Sequence, residues 1–143
     1  SLSALNVVLD PPSLEARVQA SSPDAFLSLG TGTGGRWLFD PALTDAAAQL
    51  AFVWAARRSH CGAMPVHIGR LQRFGQAPVS GELNLRLQGR QTADGLDFEA
   101  EFVDVGGHLR LALGPVRCTV SQALARLSPE VPAPVVAPSG PRR

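Results

Sequence analysis

Hydrophobic and polar residues alternate along four segments of the chain, which is the pattern of strands with one buried and one exposed face. The alternation runs through residues 14–18, 83–87, 96–102 and 109–113. Short turn-forming stretches at residues 91–95 and at Gly106-Gly107 separate the last three segments, which predicts an antiparallel meander. A fifth strand is predicted over residues 66–74, with a bulge at Gly69, where the alternation changes phase.

One segment has a different pattern and is predicted to be a long helix. Asp40 supplies an N-cap acceptor, and Pro41 suits the first helical position. From residue 42 to residue 58 almost every side chain is apolar, and Arg57 and Arg58 lie where cations complement the helix dipole. A helix that is apolar nearly all round is expected to be enclosed by protein.

The combination of one such helix with several half-buried strands predicts an α+β fold. We expect a single hot-dog fold, in which a curved antiparallel sheet of five to six strands wraps around one long central helix. A generic α+β sandwich is the alternative. The hot-dog domain is predicted to cover residues 1–127, and the Pro-rich residues 128–143 are predicted to form an extended linker.

Composition excludes several classes of function. The 143 residues are enough for one domain, and 45% hydrophobic residues exclude disorder of the whole chain. The net charge of +1 provides little of the long-range field on which nucleic-acid and anionic-membrane binding depend. All 13 basic residues are Arg, which excludes a lysine Schiff base, a lysine general base and a P-loop lysine.

The cellular location is expected to be the cytoplasm, and the chain is expected to be one module of a longer polypeptide. Cys61 and Cys118 are too few for a disulfide framework and lack the spacing of metal ligands. No apolar stretch approaches the roughly 20 residues that a membrane-spanning helix needs.

Two polar residues, Asp45 and Gln49, interrupt the apolar helix and lie one turn apart on one face. Burying a carboxylate is costly unless it is hydrogen-bonded or neutralised. We therefore expect Asp45 to be a buried acid, desolvated so that it can donate a proton, and Gln49 to orient it. The alternative is a structural role, in which Asp45 interacts with the helix dipole and caps a neighbouring loop.

Residues 40–50, with the sequence DPALTDAAAQL, resemble a helix motif of polyketide synthase dehydratase domains that is usually written HPALLDAALQ. Asp40 stands where that motif has His. A looser similarity covers residues 64–71 and continues through the meander to about residue 127. Most of the chain therefore resembles the C-terminal hot dog of a double hot-dog dehydratase of polyketide or polyunsaturated fatty acid synthases.

The resemblance implies an activity and a partner. In this family the Asp protonates the leaving hydroxyl of a β-hydroxyacyl chain carried on acyl carrier protein, and a His of the other hot dog removes the α-proton. Asp45 would be the acid and Gln49 its orienting residue, without a metal or organic cofactor beyond the carrier's phosphopantetheine. The family's His lies in an HxxxGxxxxP motif, which none of His60, His67 and His108 matches.

The missing His implies that another domain or chain supplies the base, as in a homodimer or a paired hot dog. A non-catalytic dehydratase-like hot dog that serves dimerisation or domain docking is the alternative function, and an acyl-thioesterase is a third.

Other candidate residues fall into two groups. Side chains that could line an acyl tunnel are Phe52, Trp54 and His67; arginines that could contact an acidic carrier protein or its phosphopantetheine are Arg57, Arg58, Arg70 and Arg73.

A glycine-rich stretch over residues 30–35 formally satisfies the GxGxxG pattern of dinucleotide sites. The residues that follow it read as a strand, whereas a pyrophosphate site requires a helix there. We expect a hairpin turn in this stretch.

Overall fold

One antiparallel sheet packs against one long helix in the computed structural model, which describes residues 2–4, 13–22 and 38–126. The sheet order is β1-β2-β5-β6-β7-β3, and β4 also pairs with β7. The predicted turn at residues 30–35 and the predicted linker at residues 128–143 lie outside the described residues. The elements are β1 Leu2–Ala4, β2 Ser13–Gln19, α1 Pro41–Ser59, β3 Gly62–Ile68, β4 Leu71–Arg73, β5 Glu82–Thr92, β6 Gly95–Asp104, β7 Leu109–Ser121 and α2 Gln122–Ala125.

The strand predicted over residues 66–74 is two strands in the structure. β3 and β4 pair with successive stretches of the same side of β7, so the sheet is six strands wide. The break between them lies at Gly69, whose backbone N–H donates to the carbonyl of Pro115 at 2.9 Å. The register shift falls earlier than the predicted bulge, between Pro65 and His67.

The predicted meander of β5, β6 and β7 is present, but β7 extends eight residues past the predicted end at residue 113. Leu111 and Leu113 face the core in the first half of β7, whereas Val116 and Cys118 do so in the second half. The phase changes at Gly114, where the backbone has φ +152° and an added Cβ would lie 2.8 Å from Cγ of Glu99. This change of phase hides the second half of the strand from a search for strict alternation.

The core lies between α1 and the inner face of the sheet. Buried positions of α1 are spaced three and four apart, as expected for one face of a helix. They are Leu43, Ala46, Ala47, Leu50, Ala51, Trp54 and Ala55. Their partners on the central strands are Leu83, Leu85 and Leu87 of β5 and Leu96, Phe98, Ala100 and Phe102 of β6.

The ends of α1 agree with the predicted capping. The Asp40 carboxylate accepts a hydrogen bond from the backbone N–H of Ala42 at 2.9 Å, and Pro41 is the first helical residue. His60 ends the helix in the left-handed conformation, with φ 52°, and donates its backbone N–H to the carbonyl of Ala56.

The expectation that α1 is enclosed on all sides is wrong for this chain. Asp45, Gln49 and Arg57 are exposed, and Phe52 and Ala56 are only partly buried. The physical reason is that a single sheet covers one face of a helix, and the many alanines of α1 leave little apolar area on the other face. Neither described helix is long and apolar enough to cross a lipid bilayer.

Candidate functional site

Asp45 and Gln49 form a hydrogen-bonded pair on the outward face of α1. Gln49 Nε2 donates to Asp45 Oδ2 at 2.6 Å, as the spacing of one helical turn allows. The predicted pairing of the two side chains is therefore present, but both are exposed and the predicted burial of Asp45 is not. The amide engages Oδ2, and no donor among residues 2–4, 13–22 and 38–126 engages Oδ1.

The outward face of α1 changes from polar to apolar along the helix. Asp45 and Gln49 are followed on the same face by the partly buried Phe52 and Ala56. Phe52 packs where α2 meets the start of β3: a Cβ added to Gly62 would lie 2.8 Å from the Phe52 ring and 2.5 Å from Leu124. We call this face, residues 45, 48, 49, 52 and 56, the outward stripe.

Asp40, which replaces the first residue of the family motif, has a structural role. It is 5% exposed, and its carboxylate accepts hydrogen bonds from the backbone N–H of Ser21 at 2.6 Å, from the Ser21 hydroxyl and from Ala42. These bonds tie the end of β2 to the start of α1. With three donors from the described residues on a carboxylate that is 5% exposed, Asp40 is committed to holding the chain rather than to contacting a substrate.

Trp54, a candidate tunnel residue, is packed into the core. A Cβ added to Gly89 of β5 would lie 2.9 Å from the Trp54 ring, and the Arg58 guanidinium lies 5.4 Å from the ring centroid. The ring is therefore held between a strand and a cation. Only Phe52 of the three tunnel candidates lies on the outward stripe.

His67, the third tunnel candidate, lies on the other side of the sheet from α1. It is exposed and pairs in register with Arg117, which is exposed as well, whereas core-facing Val116 and Cys118 flank Arg117 along β7. Paired residues of an antiparallel sheet project to the same face. His67 therefore projects from the outer face, away from Asp45.

The four candidate contact arginines fall into two groups. Arg57 and Arg58 lie in the last turn of α1, whereas Arg70 precedes β4 and Arg73 ends it. None of the four has a carboxylate within ion-pair distance in the part of the chain that the structure describes.

A polar groove on the outer face was not predicted. Asp97 lies between Arg90 and Arg117, with N···O distances of 3.6 and 3.7 Å. Arg90 and Asp97 line a cavity of about 280 Å³, together with residues that include Gln88, Glu99 and Pro115. The register of β5, β6 and β7 places these residues side by side, and sequence spacing alone does not give that register.

A second polar cluster joins the β6–β7 turn to the loop before β5. Asp104 accepts hydrogen bonds from the backbone N–H of His108 at 2.9 Å and from Arg110 at 3.2 Å, and Arg110 donates to the carbonyl of Ala77. The hydrogen bond from the His108 backbone, followed by that from Arg110, lowers the pKa of Asp104. The geometry is that of a turn-stabilising network.

The cysteines and possible metal ligands give no further site. Cys118 is buried, and burial together with the charge of Asp97 raises the pKa of its thiol to about 11. Among the described residues, no three of His, Cys, Asp and Glu converge to hold a metal ion.

Comparison with solved structures confirms the predicted hot-dog fold. A structure of yhdA from Lactococcus lactis, described as a thioesterase, superposes with a TM-score of 0.61 at 15% identity, covering 84% of this chain and 91% of that one. Thioesterase HI1161 from Haemophilus influenzae gives 0.50 at 12% identity, covering 85% and 77%. At these identities the likeness shows the fold alone.

Comparison with family models identifies the family. The model of the polyketide synthase dehydratase N-terminal domain matches residues 7–128, whereas no curated protein matches the sequence. The matched model describes the N-terminal domain, so the comparison does not support the predicted assignment to the C-terminal half of the dehydratase. The predicted family is confirmed: this chain belongs to the polyketide synthase dehydratase family.

Proposed function

We propose that the chain acts in the elimination of water from a β-hydroxyacyl chain carried on acyl carrier protein, within a polyketide or fatty acid synthase. The observation that carries the proposal is the hydrogen bond from Gln49 to Asp45 on the outward stripe, in a chain of the dehydratase family. Asp45 is the acid in this scheme, and Gln49 is its positioning residue.

The chemistry requires two groups, a base at the α-carbon and an acid at the β-hydroxyl, for either syn or anti elimination. A base removes the proton from the α-carbon, the C=C bond forms, and the C–O bond at the β-carbon breaks as Asp45 Oδ1 donates a proton to the departing hydroxyl. Water leaves, Asp45 becomes a carboxylate, and the base carries the extra proton. Exchange with solvent then resets both groups.

The base comes from a second hot dog, which a second copy of the chain or a neighbouring synthase domain provides. His60 and His108 are exposed and lie at the C-terminus of α1 and in the β6–β7 turn, and His67 projects from the outer face. None shares the outward stripe with Asp45. A partner that covers the stripe would also exclude bulk water from Asp45.

Phe52 and Ala56 extend the stripe from the polar pair towards α2. Their partly buried apolar side chains suit the alkyl part of an acyl chain. The seven steps from Asp45 to Phe52 rise about 10 Å along the helix. We place the thioester end near Asp45 and the alkyl end near Phe52.

The test is the formation of an enoyl thioester by the intact synthase supplied with a 3-hydroxyacyl thioester. We expect Asp45→Asn to lower the rate about 100-fold or more, because a carboxamide cannot donate the proton, and Gln49→Ala to lower it about 10-fold. Asp94→Asn, which changes an exposed turn carboxylate, is the matched control and should leave the rate unchanged.

Either of two other outcomes would contradict the proposal and favour a different function. Full activity of the Asp45→Asn synthase would favour a non-catalytic hot dog, an alternative that the absence of an HxxxGxxxxP histidine from the chain supports. Release of free thiol instead of an enoyl product would favour a thioesterase, the description that both structural neighbours carry.

A further inference from the structure

The apolar part of the outward stripe meets a second element, the short helix α2. A Cβ added to Gly62 of β3 would lie 2.5 Å from Cβ of Leu124 in α2 and 2.8 Å from the Phe52 ring of α1. The two side chains are therefore neighbours beside one point of the β3 backbone, and each is partly buried. The stripe, which begins at the polar pair of Asp45 and Gln49, thus reaches α2 at Phe52.

Phe52 and Leu124 form a small apolar cluster apart from the main core. Within the described residues, the core and the partly buried side chains that pack against it include neither of them. Small clusters of this kind are common beside the single core of a domain. Because the core holds the sheet against α1, a change in the size of Phe52 or Leu124 alters the surface of the stripe more than the stability of the fold.

The position of α2 is set by the sheet. Ser121, the last residue of β7, pairs with Gly62 of β3 and caps α2 by accepting a hydrogen bond from the backbone N–H of Ala123 at 3.1 Å. Gly62 has no side chain, so α2 lies directly on β3: an added Cβ would approach the backbone carbonyl carbon of Leu124 to 2.6 Å. The Leu124 side chain is therefore held beside Phe52 by the backbone on which it stands.

We propose that Leu124, together with Phe52, limits the length of the acyl chain that the outward stripe accepts. This inference rests on the proposed function, which places the thioester end near Asp45 and the alkyl end near Phe52. The rise of about 10 Å between these two residues suits acyl chains of short and medium length. A longer alkyl chain would have to displace Leu124 or turn out into water, where its methylene groups gain no hydrophobic contact.

Truncation of Leu124 should lengthen the accepted chain. Removing a leucine side chain leaves an apolar space that water fills poorly and that the alkyl group of a ligand can occupy. Each methylene group that enters such a space raises the affinity about 4-fold. An aromatic side chain at the same position fills more of the stripe and should have the opposite effect.

The test measures the affinity of the chain for S-alkyl pantetheines of about four, eight and twelve carbons by isothermal titration calorimetry. These thioethers have no thioester and no β-hydroxyl group, so binding is measured whether or not the chain catalyses dehydration. We expect Leu124→Ala to bind the longest probe at least about 10-fold more tightly and the shortest within about 2-fold of the parent. Leu124→Phe should weaken binding of the two longer probes. Gln122→Ala, at an exposed position of α2, is the matched control and should leave all three affinities unchanged.

The length preference and the dehydration can fail separately. An unchanged preference in Leu124→Ala, equal losses for all three probes in Leu124→Ala and Phe52→Ala, or no binding of any probe by the parent would overturn the inference, even if Asp45→Asn abolishes enoyl formation by the synthase. A shifted preference in a chain whose synthase forms no enoyl product would support the inference and discard the dehydration. Circular dichroism establishes that each variant folds.

Discussion

Asp40 and Asp45 lie only five residues apart, yet their surroundings give them different roles. Asp40 is buried and accepts three hydrogen bonds from described residues, whereas Asp45 is exposed and, within the same part of the chain, accepts one from Gln49. A buried, fully bonded carboxylate holds two chain segments together. An exposed carboxylate with one such bond remains available for chemistry.

We therefore expect Asp40→Ala to destabilise the protein and Asp45→Ala to leave its stability almost unchanged. Asp40→Ala removes an N-cap and leaves the Ser21 donors unsatisfied, which should lower the free energy of unfolding by about 2 kcal/mol. Asp45→Ala should change it by less than about 0.5 kcal/mol. Urea unfolding of the two variants measures both values, and a larger loss in Asp45→Ala would show that its role is structural.

Gly89 allows Trp54 to lie directly on β5. A Cβ at this position would approach the ring to 2.9 Å, and the ring has little freedom to move because it is 6% exposed. Gly89→Ala should lower the free energy of unfolding by about 1 to 3 kcal/mol. Gln88→Ala, on the outer face of the same strand, is the control and should stay within about 0.5 kcal/mol of the parent.

At the scale of elements, the Asp104 cluster couples the β6–β7 turn to the loop before β5. Because the folded pKa of Asp104 is lowered, its ionised form contributes stability above the ordinary pKa of 3.8, and this contribution is lost as the pH falls through the lowered value. Acidification below about pH 4 should therefore destabilise the parent more than Asp104→Asn. The unfolding free energy, measured from pH 2 to 6, checks this; Asp94→Asn should retain the parental pH dependence.

The elements that the sequence predicts best are those whose pattern is long and regular. Capping residues predict the ends of α1, and regular alternation predicts the strands around residues 83–87 and 96–102; the structure agrees with both. β1, with three residues, and α2, with four, are too short to show a period. The exposure of Asp45 could not be predicted, because the composition of a helix does not reveal how many layers cover it.

The candidate site likewise has one feature that the sequence predicts and one that it does not. The pairing of Asp45 with Gln49 is a local property of helix spacing and was predicted. The position of His67 on the outer face depends on the register shift between Pro65 and His67, since moving by one residue transfers a side chain to the opposite face. A strand that is mostly apolar has no alternation of hydrophobic and polar residues from which such a shift could be predicted.

At the scale of the whole molecule, Cys118 reports on opening of the sheet. Its thiol is 1% exposed, whereas Cys61 is partly exposed. We expect a thiol reagent at neutral pH to label Cys61 in the folded protein and Cys118 only at the rate of unfolding. Labelling of Cys118 as fast as that of Cys61 would contradict the described core.

The raised pKa of Cys118 also predicts a dependence of stability on alkaline pH. The protonated thiol is favoured in the folded state, so its contribution is complete below the ordinary pKa of 9.0 and is lost as the pH rises towards about 11. The free energy of unfolding should therefore fall over this interval. Cys118→Val should show a smaller fall, because it has no thiol to ionise.

Among the described residues, the carboxylates lie on β2, β5 and β6, in the turn between β5 and β6 and at the start of α1. Arg57, Arg58, Arg70 and Arg73, which have no carboxylate within ion-pair distance there, lie elsewhere, so this part of a nearly neutral chain carries an electric dipole. With a net charge of only +1, its behaviour on a charged resin would depend on which side faces the resin rather than on its total charge. A cation exchanger should retain the parent chain and release R57Q/R58Q/R70Q/R73Q at lower salt than R17Q/R86Q/R90Q/R117Q, although the two variants have equal net charge.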